Sequence, residues 1–172
     1  GTPVVRTDAA ALWATGETWW QIPPVTKVIF SGELRPGVSG KDVIVALCGV
    51  YNQDEVLNHA LEFSGPGVAT LDVAARLTIS NMTTEWGALA GVFPCDEVTV
   101  AWYREQQGTK QRLSADAIDQ LAAGVLTADH DANYAQIIEM NLATVIPCIC
   151  GPHSVKVMEQ ISKVEAEHRH ID

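Results

Sequence analysis

Positive charge is scarce in this sequence. Its 172 residues carry 11 Lys and Arg against 21 Asp and Glu, for a net charge of -10. A broad basic footprint is therefore missing, which argues against nucleic acid or an anionic membrane as the main partner. A local basic pocket for an anionic metabolite remains open. Long apolar runs are also lacking. None approaches the ~20 residues of a membrane-spanning helix. The opening Gly1-Thr2-Pro3-Val4-Val5-Arg6 has neither the charged start nor the apolar block of a signal peptide. With 47% hydrophobic residues the chain can still bury roughly 70% of its unfolded surface. One core is expected, with room for a subsidiary lobe.

Cysteine is limited to Cys48, Cys95, Cys148 and Cys150. A chain of this size does not depend on disulfides and nothing points to secretion, so reduced thiols are expected. Cys148-Ile149-Cys150 is half of a zinc pattern, and His153 makes a three-ligand set conceivable. The preferred reading is two thiols at the end of an apolar strand, with no metal site. Ser39 and the neighbouring glycines lack the P-loop lysine–hydroxyl pattern and the G-x-S-x-G elbow. His130 lies between Asp129 and Asp131 in a polar loop, and His168-Arg169-His170 reads as a solvated tail. No Ser-His-Asp or Cys-His set is defensible.

The remaining pattern is that of an α/β protein. Asp8 is expected to cap a helix that Gly16 ends, followed by a Trp19, Trp20 and Ile22 cluster suited to packing against further protein. Val25–Phe30, bounded by Pro23-Pro24 and Gly32, reads as a strand. Arg35-Pro36-Gly37 is a turn. Ser39 with Asp42 is a capping-box variant opening a helix from Gly40 to Val50. Leu61–Phe63 is a second short strand, closed by Ser64-Gly65-Pro66-Gly67. Strand, helix and strand at this spacing suggest a βαβ unit in a parallel or mixed sheet flanked by helices. From Thr70 or Asp72 helical periodicity runs through Ala75, Met82, Trp86 and Leu89 to Pro94. Residues 96–107 fit a strand or a capped helix. Ser114 should cap a helix to Ala123, and Tyr134–Val145 should form the last strand.

On the helix read through 80–94, Asn81 and Glu85 stand four residues apart, about 6 Å from each other on one face. Small or hydroxylated neighbours, Ser80, Thr83, Thr84 and Gly87, would let a ligand or another backbone approach. From spacing alone, the preferred reading is an ordinary polar stripe on a half-exposed helix.

GVSGKDVIVALCGV, LEFSGPGV, ARLTISNMTTEWGALAGVFPCDEVT and YAQIIEMNLATVIPCICGP together resemble the aconitase superfamily of iron–sulfur hydro-lyases. The family's helix pattern is close to R-L-T-[IA]-[AS]-N-M-x-x-E-x-G-A-x-x-[GA]-x-F-P. Arg76, Leu77, Thr78, Ser80, Asn81, Met82, Glu85, Gly87, Ala88, Gly91, Phe93 and Pro94 match it in order. TDAAALWATGETWWQIPP and NMTTEWGALAG look most like the homoaconitase branch. The resemblance implies that residues 1–23 close a first α/β domain, 24–150 form a second, and 151–172 open a third or form a tail. It implies a [4Fe–4S] cluster in a longer parent, with none held by this chain alone, because the family's cluster cysteines and catalytic serine match nothing here. Asn81 would face the cluster. Glu85 would hydrogen-bond the water or hydroxyl at its open iron and act on the hydroxyl that leaves or adds. The implied substrate is a tricarboxylic acid and the implied partners are the remaining aconitase-like domains. The implied location is the mitochondrial matrix, or otherwise the cytoplasm. The implied reaction converts homocitrate to homoisocitrate through homoaconitate in lysine biosynthesis. Citrate aconitase, isopropylmalate dehydratase and a non-catalytic α/β module are the alternatives.

Overall fold

The computed structural model describes residues 4–106, 113–124 and 126–168. Arg169 and His170 of the expected tail, Gln107 and residues 1–3 lie outside them. Helix α1 (Arg6–Thr15) stops at Gly16, whose φ of +73° places it in the left-handed region. Its N-cap is Val5, and Asp8 falls in the first turn, where its carboxylate favours the exposed N–H groups without capping them.

Four strands, β1 (Val25–Ser31), β2 (Ala60–Ser64), β3 (Ala90–Val92) and β4 (Gln136–Asn141), form one sheet in the order β3-β2-β1-β4. Every pairing is parallel, with Val28 opposite both Phe63 and Ile138. The α/β expectation holds, with a parallel main sheet. Alternation in β1 buries Thr26, Val28 and Phe30, and alternation in β2 buries Leu61 and Phe63. This face packs in one apolar cluster with Val43, Ile44 and Leu47 of α2 (Gly40–Val50), Ile79 of α3 (Val73–Asn81) and Trp86 of α4 (Thr83–Trp86). Phe63 stacks between Phe30 and Phe93, at 5.5 and 4.4 Å between ring centroids. Each such buried side chain contributes about 1.5–3 kcal/mol.

The second helix begins and ends where the sequence places it. The Asp42 carboxylate accepts from the Ser39 N–H and hydroxyl, both at 2.8 Å, and from the Cys148 N–H at 3.0 Å. One carboxylate thus opens α2 and ties it to the far end of the chain. Gly40 allows α2 and α3 to touch, since a Cβ there would sit 2.8 Å from the Ala75 backbone.

Three expectations change. The helix read to Pro94 stops at Asn81, α4 is a single further turn, and Ala90–Val92 is a strand. Asp72 is its cap. Met82 leaves helical geometry, and the Thr83 hydroxyl turns back to donate to the Ser80 carbonyl. Gly87, at φ +103°, ends the turn in a conformation that other residues rarely adopt. Apolar periodicity does not register the pairing of Ala90 and Gly91 with Ala60 and Leu61. Second, the last strand spans only Gln136–Asn141, because the Asn141 side chain accepts from Ala143 N–H and starts a 3-10 turn. Third, that strand is not the last, and regular structure continues past Gly151. β5 (Cys148–Cys150) pairs antiparallel with β6 (Met158–Gln160), ahead of α7 (Ile161–Ala166), and the Met158 side chain abuts Gly49 of α2.

Two further elements resolve as helices. α5 (Glu97–Glu105) settles the ambiguous segment, with the Asp96 side chain accepting from Thr99 N–H. α6 (Ala115–Ala123) is capped by Ser114 as expected. Residues 127–133 are irregular. Among the described residues no helix is long and apolar enough to cross a membrane. Trp13, Trp19 and Ile22 are exposed on this chain.

Candidate functional site

Asn81 is the last residue of α3 and Glu85 the third of α4. The helix break at Met82 means that they do not lie on one continuous helix. Both are nevertheless exposed, and neither is enclosed in the hydrophobic interior. Burial decides which side chains of this turn face outward. In Thr83–Trp86 the outer pair is buried, Thr83 fully and Trp86 to within 1%, while Thr84 and Glu85 face outward.

This turn is anchored at both ends. Thr83 Oγ1 donates to the Ser80 carbonyl at 2.9 Å, and Trp86 Nε1 donates to the Tyr51 carbonyl at 2.7 Å. Beyond it, Asn58 N–H donates to the Gly87 carbonyl and Leu89 N–H to the His59 carbonyl, joining the turn to the loop before β2. Asn81 shares a surface cleft of about 500 Å³ with Lys41, Leu77, Thr78, Ser80 and Met82. The Lys41 ammonium donates to Met82 Sδ at 2.8 Å, a weak, uncharged acceptor that does not neutralise it. An amide and a cation thus line one cleft, and a carboxylate follows one turn later.

A residue outside the expected set frames this region. Arg76 is 3% exposed, yet every arm of its guanidinium is occupied. Nε donates to the Leu71 carbonyl, Nη2 to the Val68 carbonyl, and Nη1 and Nη2 grip both Asp96 oxygens at 2.6 and 2.8 Å. Burial pushes the Asp96 carboxyl up, but hydrogen bonds from Arg76 and Thr99 outweigh it and hold it below the ordinary range. Arg76 was visible in the sequence only as a motif position. Its partner lies twenty residues away across a strand that periodicity does not reveal.

The thiols are not arranged as a ligand set. Among the described residues no three His, Cys, Asp or Glu side chains gather to hold a metal. Cys48 lies in the core, and burial, followed by the nearby Cys150 and Glu85, pushes its thiol to about 12. Burial and the Asp42 carboxylate bring Cys148 to about 11. Thiolate is the reactive form, so both should resist thiol reagents at pH 8 in the native chain. Counting thiols with Ellman's reagent should show Cys48 and Cys148 reacting at least tenfold faster once urea unfolds the protein. Full reaction before unfolding would contradict the packing.

Homology joins these features. Residues 1–171 match the model of the aconitase family (aconitate hydratase). The chain is 56% identical over its full length to the mitochondrial homoaconitase of Eremothecium gossypii, covering 26% of that protein. It is 54% identical to the Gibberella zeae homoaconitase over 97% of this chain and 22% of the relative. For the Neurospora crassa enzyme the identity is 50%, with 100% and 24% covered. The chain therefore spans about a quarter of the length of these curated relatives. A match running from the first residue to the penultimate one, through the α3–α4 break and its anchored turn, means that this chain belongs to the aconitase family.

Proposed function

We propose that this chain is the segment of an iron–sulfur hydro-lyase that presents Asn81 and Glu85 to the reacting centre. The enzyme is of the homoaconitase type, interconverting homocitrate and homoisocitrate through homoaconitate in lysine biosynthesis, in the mitochondrial matrix. The observation that carries the reading is the anchored turn. Glu85 stands outward between two buried residues, within a sequence 50–56% identical to mitochondrial homoaconitases.

The chemistry expected of the chain's own residues is limited and specific. Glu85 is a carboxylate able to carry a proton to or from the substrate hydroxyl. Asn81 offers an amide N–H to sulfur or oxygen, and hydrogen bonds of that kind tune iron–sulfur centres. The Lys41 ammonium adds positive charge beside Asn81, suited to an anionic substrate in an otherwise acidic chain. A [4Fe–4S] cluster would supply Lewis acidity toward the hydroxyl and carboxylate of a tricarboxylic acid. The described thiols do not gather into a metal-holding group, and burial holds those of Cys48 and Cys148 protonated, so they are not read as its ligands. The cluster's cysteines and the catalytic serine are therefore assigned to the remaining aconitase-like domains. Within this chain, residues 1–23, 24–150 and 151–172 are read as the end of one domain, a second domain and the opening of a third.

Turnover by the full-length enzyme, after anaerobic iron and sulfide loading, tests the reading. Homocitrate or homoaconitate should give a higher kcat/KM than citrate or isopropylmalate. The same loading of the 172-residue chain alone should yield no stable cluster absorption and no turnover. A preference for citrate would overturn the substrate assignment, and cluster retention by the segment alone would overturn the ligand assignment.

A further inference from the structure

We infer that Trp86 is a positioning residue for Glu85, aiming its carboxylate through the indole–carbonyl bond to Tyr51; this rests on the role proposed for Glu85. The α4 turn is only four residues long, too short to hold its direction by its own hydrogen bonds. What holds it lies outside the turn. Trp86 is adjacent to Glu85, buried to within 1%, and its Nε1–H donates at 2.7 Å to the carbonyl of Tyr51, the C-cap of α2. The Tyr51 ring lies 6.1 Å from the indole, centroid to centroid, at a tilt of 45°, which limits how the indole can pivot. Thr83 fixes the opposite end through the Ser80 carbonyl.

Two residues of the turn are thus pinned to the body of the fold, which fixes where the backbone of the outward pair sits. A buried indole whose N–H meets a carbonyl has one rotamer that satisfies both shape and hydrogen bonding. The α2 helix that provides the carbonyl also packs against the sheet through Ile44 and Leu47. Glu85 is therefore referenced to the rigid core and not to the surface around it. Proton transfer demands heavy-atom distances within a few tenths of an ångström of a hydrogen bond. A loosened turn should cost rate before it costs binding, because misplacement by about 1 Å away from the chemistry can lower turnover ~100-fold.

Trp86→Phe in the full-length enzyme removes the donor and keeps most of the packing. Expected are a kcat about tenfold lower, a KM changed less than twofold, and unaltered iron per chain. Ile138→Val, a core change in β4 that removes one methylene and none of the hydrogen bonds that anchor the turn, should leave kcat within twofold. The double variant Glu85→Gln/Trp86→Phe should be no slower than Glu85→Gln alone, because a residue acting only through Glu85 has nothing further to lose. Should Trp86→Phe fold poorly, Thr83→Val loosens the other end of the turn and should show the same loss of kcat at constant KM. A kcat loss in Trp86→Phe no larger than in Ile138→Val, or a multiplicative double variant, overturns the inference. Wild-type turnover in Glu85→Gln overturns instead the role of Glu85 on which it rests, so the two failures are distinct.

Discussion

Glu85→Gln in the full-length enzyme is expected to lower kcat by two to four orders of magnitude while iron per chain stays within a fifth of wild type. The range is that of a positioned general acid or base. Glutamine has nearly the volume of glutamate and keeps a hydrogen-bonding oxygen, but it cannot hold the proton that a departing hydroxyl requires. The substitution therefore separates chemistry from architecture. Glu85 is exposed, and its turn is held by Thr83 and Trp86, so neither the fold nor the thiols assigned elsewhere depend on its charge. KM should move far less than kcat, since the carboxylate acts where the bond changes. Parallel single-turnover and iron assays decide the matter. If activity and iron fall together, Glu85 is an architectural residue and the proposed role is wrong.

What could be read from the sequence divides by the range of the interactions involved. Local rules placed α2 to the residue, because Ser39 and Asp42 lie three apart and satisfy each other within one turn. They also placed β1 and α6, whose alternation and caps are local. The N-M-x-x-E pattern drew attention to Asn81 and Glu85, but the geometry inferred for it was that of an unbroken helix. The break at Met82 depends on Thr83 being buried and on Gly91 pairing with β2, where a Cβ would meet the Thr83 side chain at 2.8 Å. These contacts are set by tertiary structure and override periodicity. The hairpin of β5 and β6 was missed for a similar reason. Its strands have three residues each and are stabilised by packing on α2 through Met158 and by the Asp42–Cys148 bond.

The same distinction identifies the largest effect expected on stability. Asp96→Asn should destabilise the 172-residue chain by about 3 kcal/mol at pH 7, the order found when one member of a buried ion pair is removed. Asparagine keeps an oxygen to cap Thr99 N–H, so helix α5 should still form and the loss should lie with Arg76. Its guanidinium, 3% exposed and locked onto the Leu71 and Val68 carbonyls, cannot swing into water to recover solvation. With a typical urea slope of about 1–3 kcal/mol/M, the unfolding midpoint should drop by roughly 1–3 M. The pH dependence gives an independent check. Asp96 titrates below its ordinary range in the folded chain. Its stabilising contribution is therefore complete above the unfolded carboxyl value of about 3.9 and is lost as pH falls through the lower folded value. Wild type and Asp96→Asn should consequently converge in stability on acidification, the gap being widest near neutrality. Arg76→Met/Asp96→Asn should be less destabilised than the sum of its single variants, because the second change removes the unpaired charge left by the first. Additive losses, or a gap that stays constant down to acid pH, would mean that the pair contributes as packing alone. In that case α3, with Asn81 at its end, would be held in place by its apolar face and not by the ion pair.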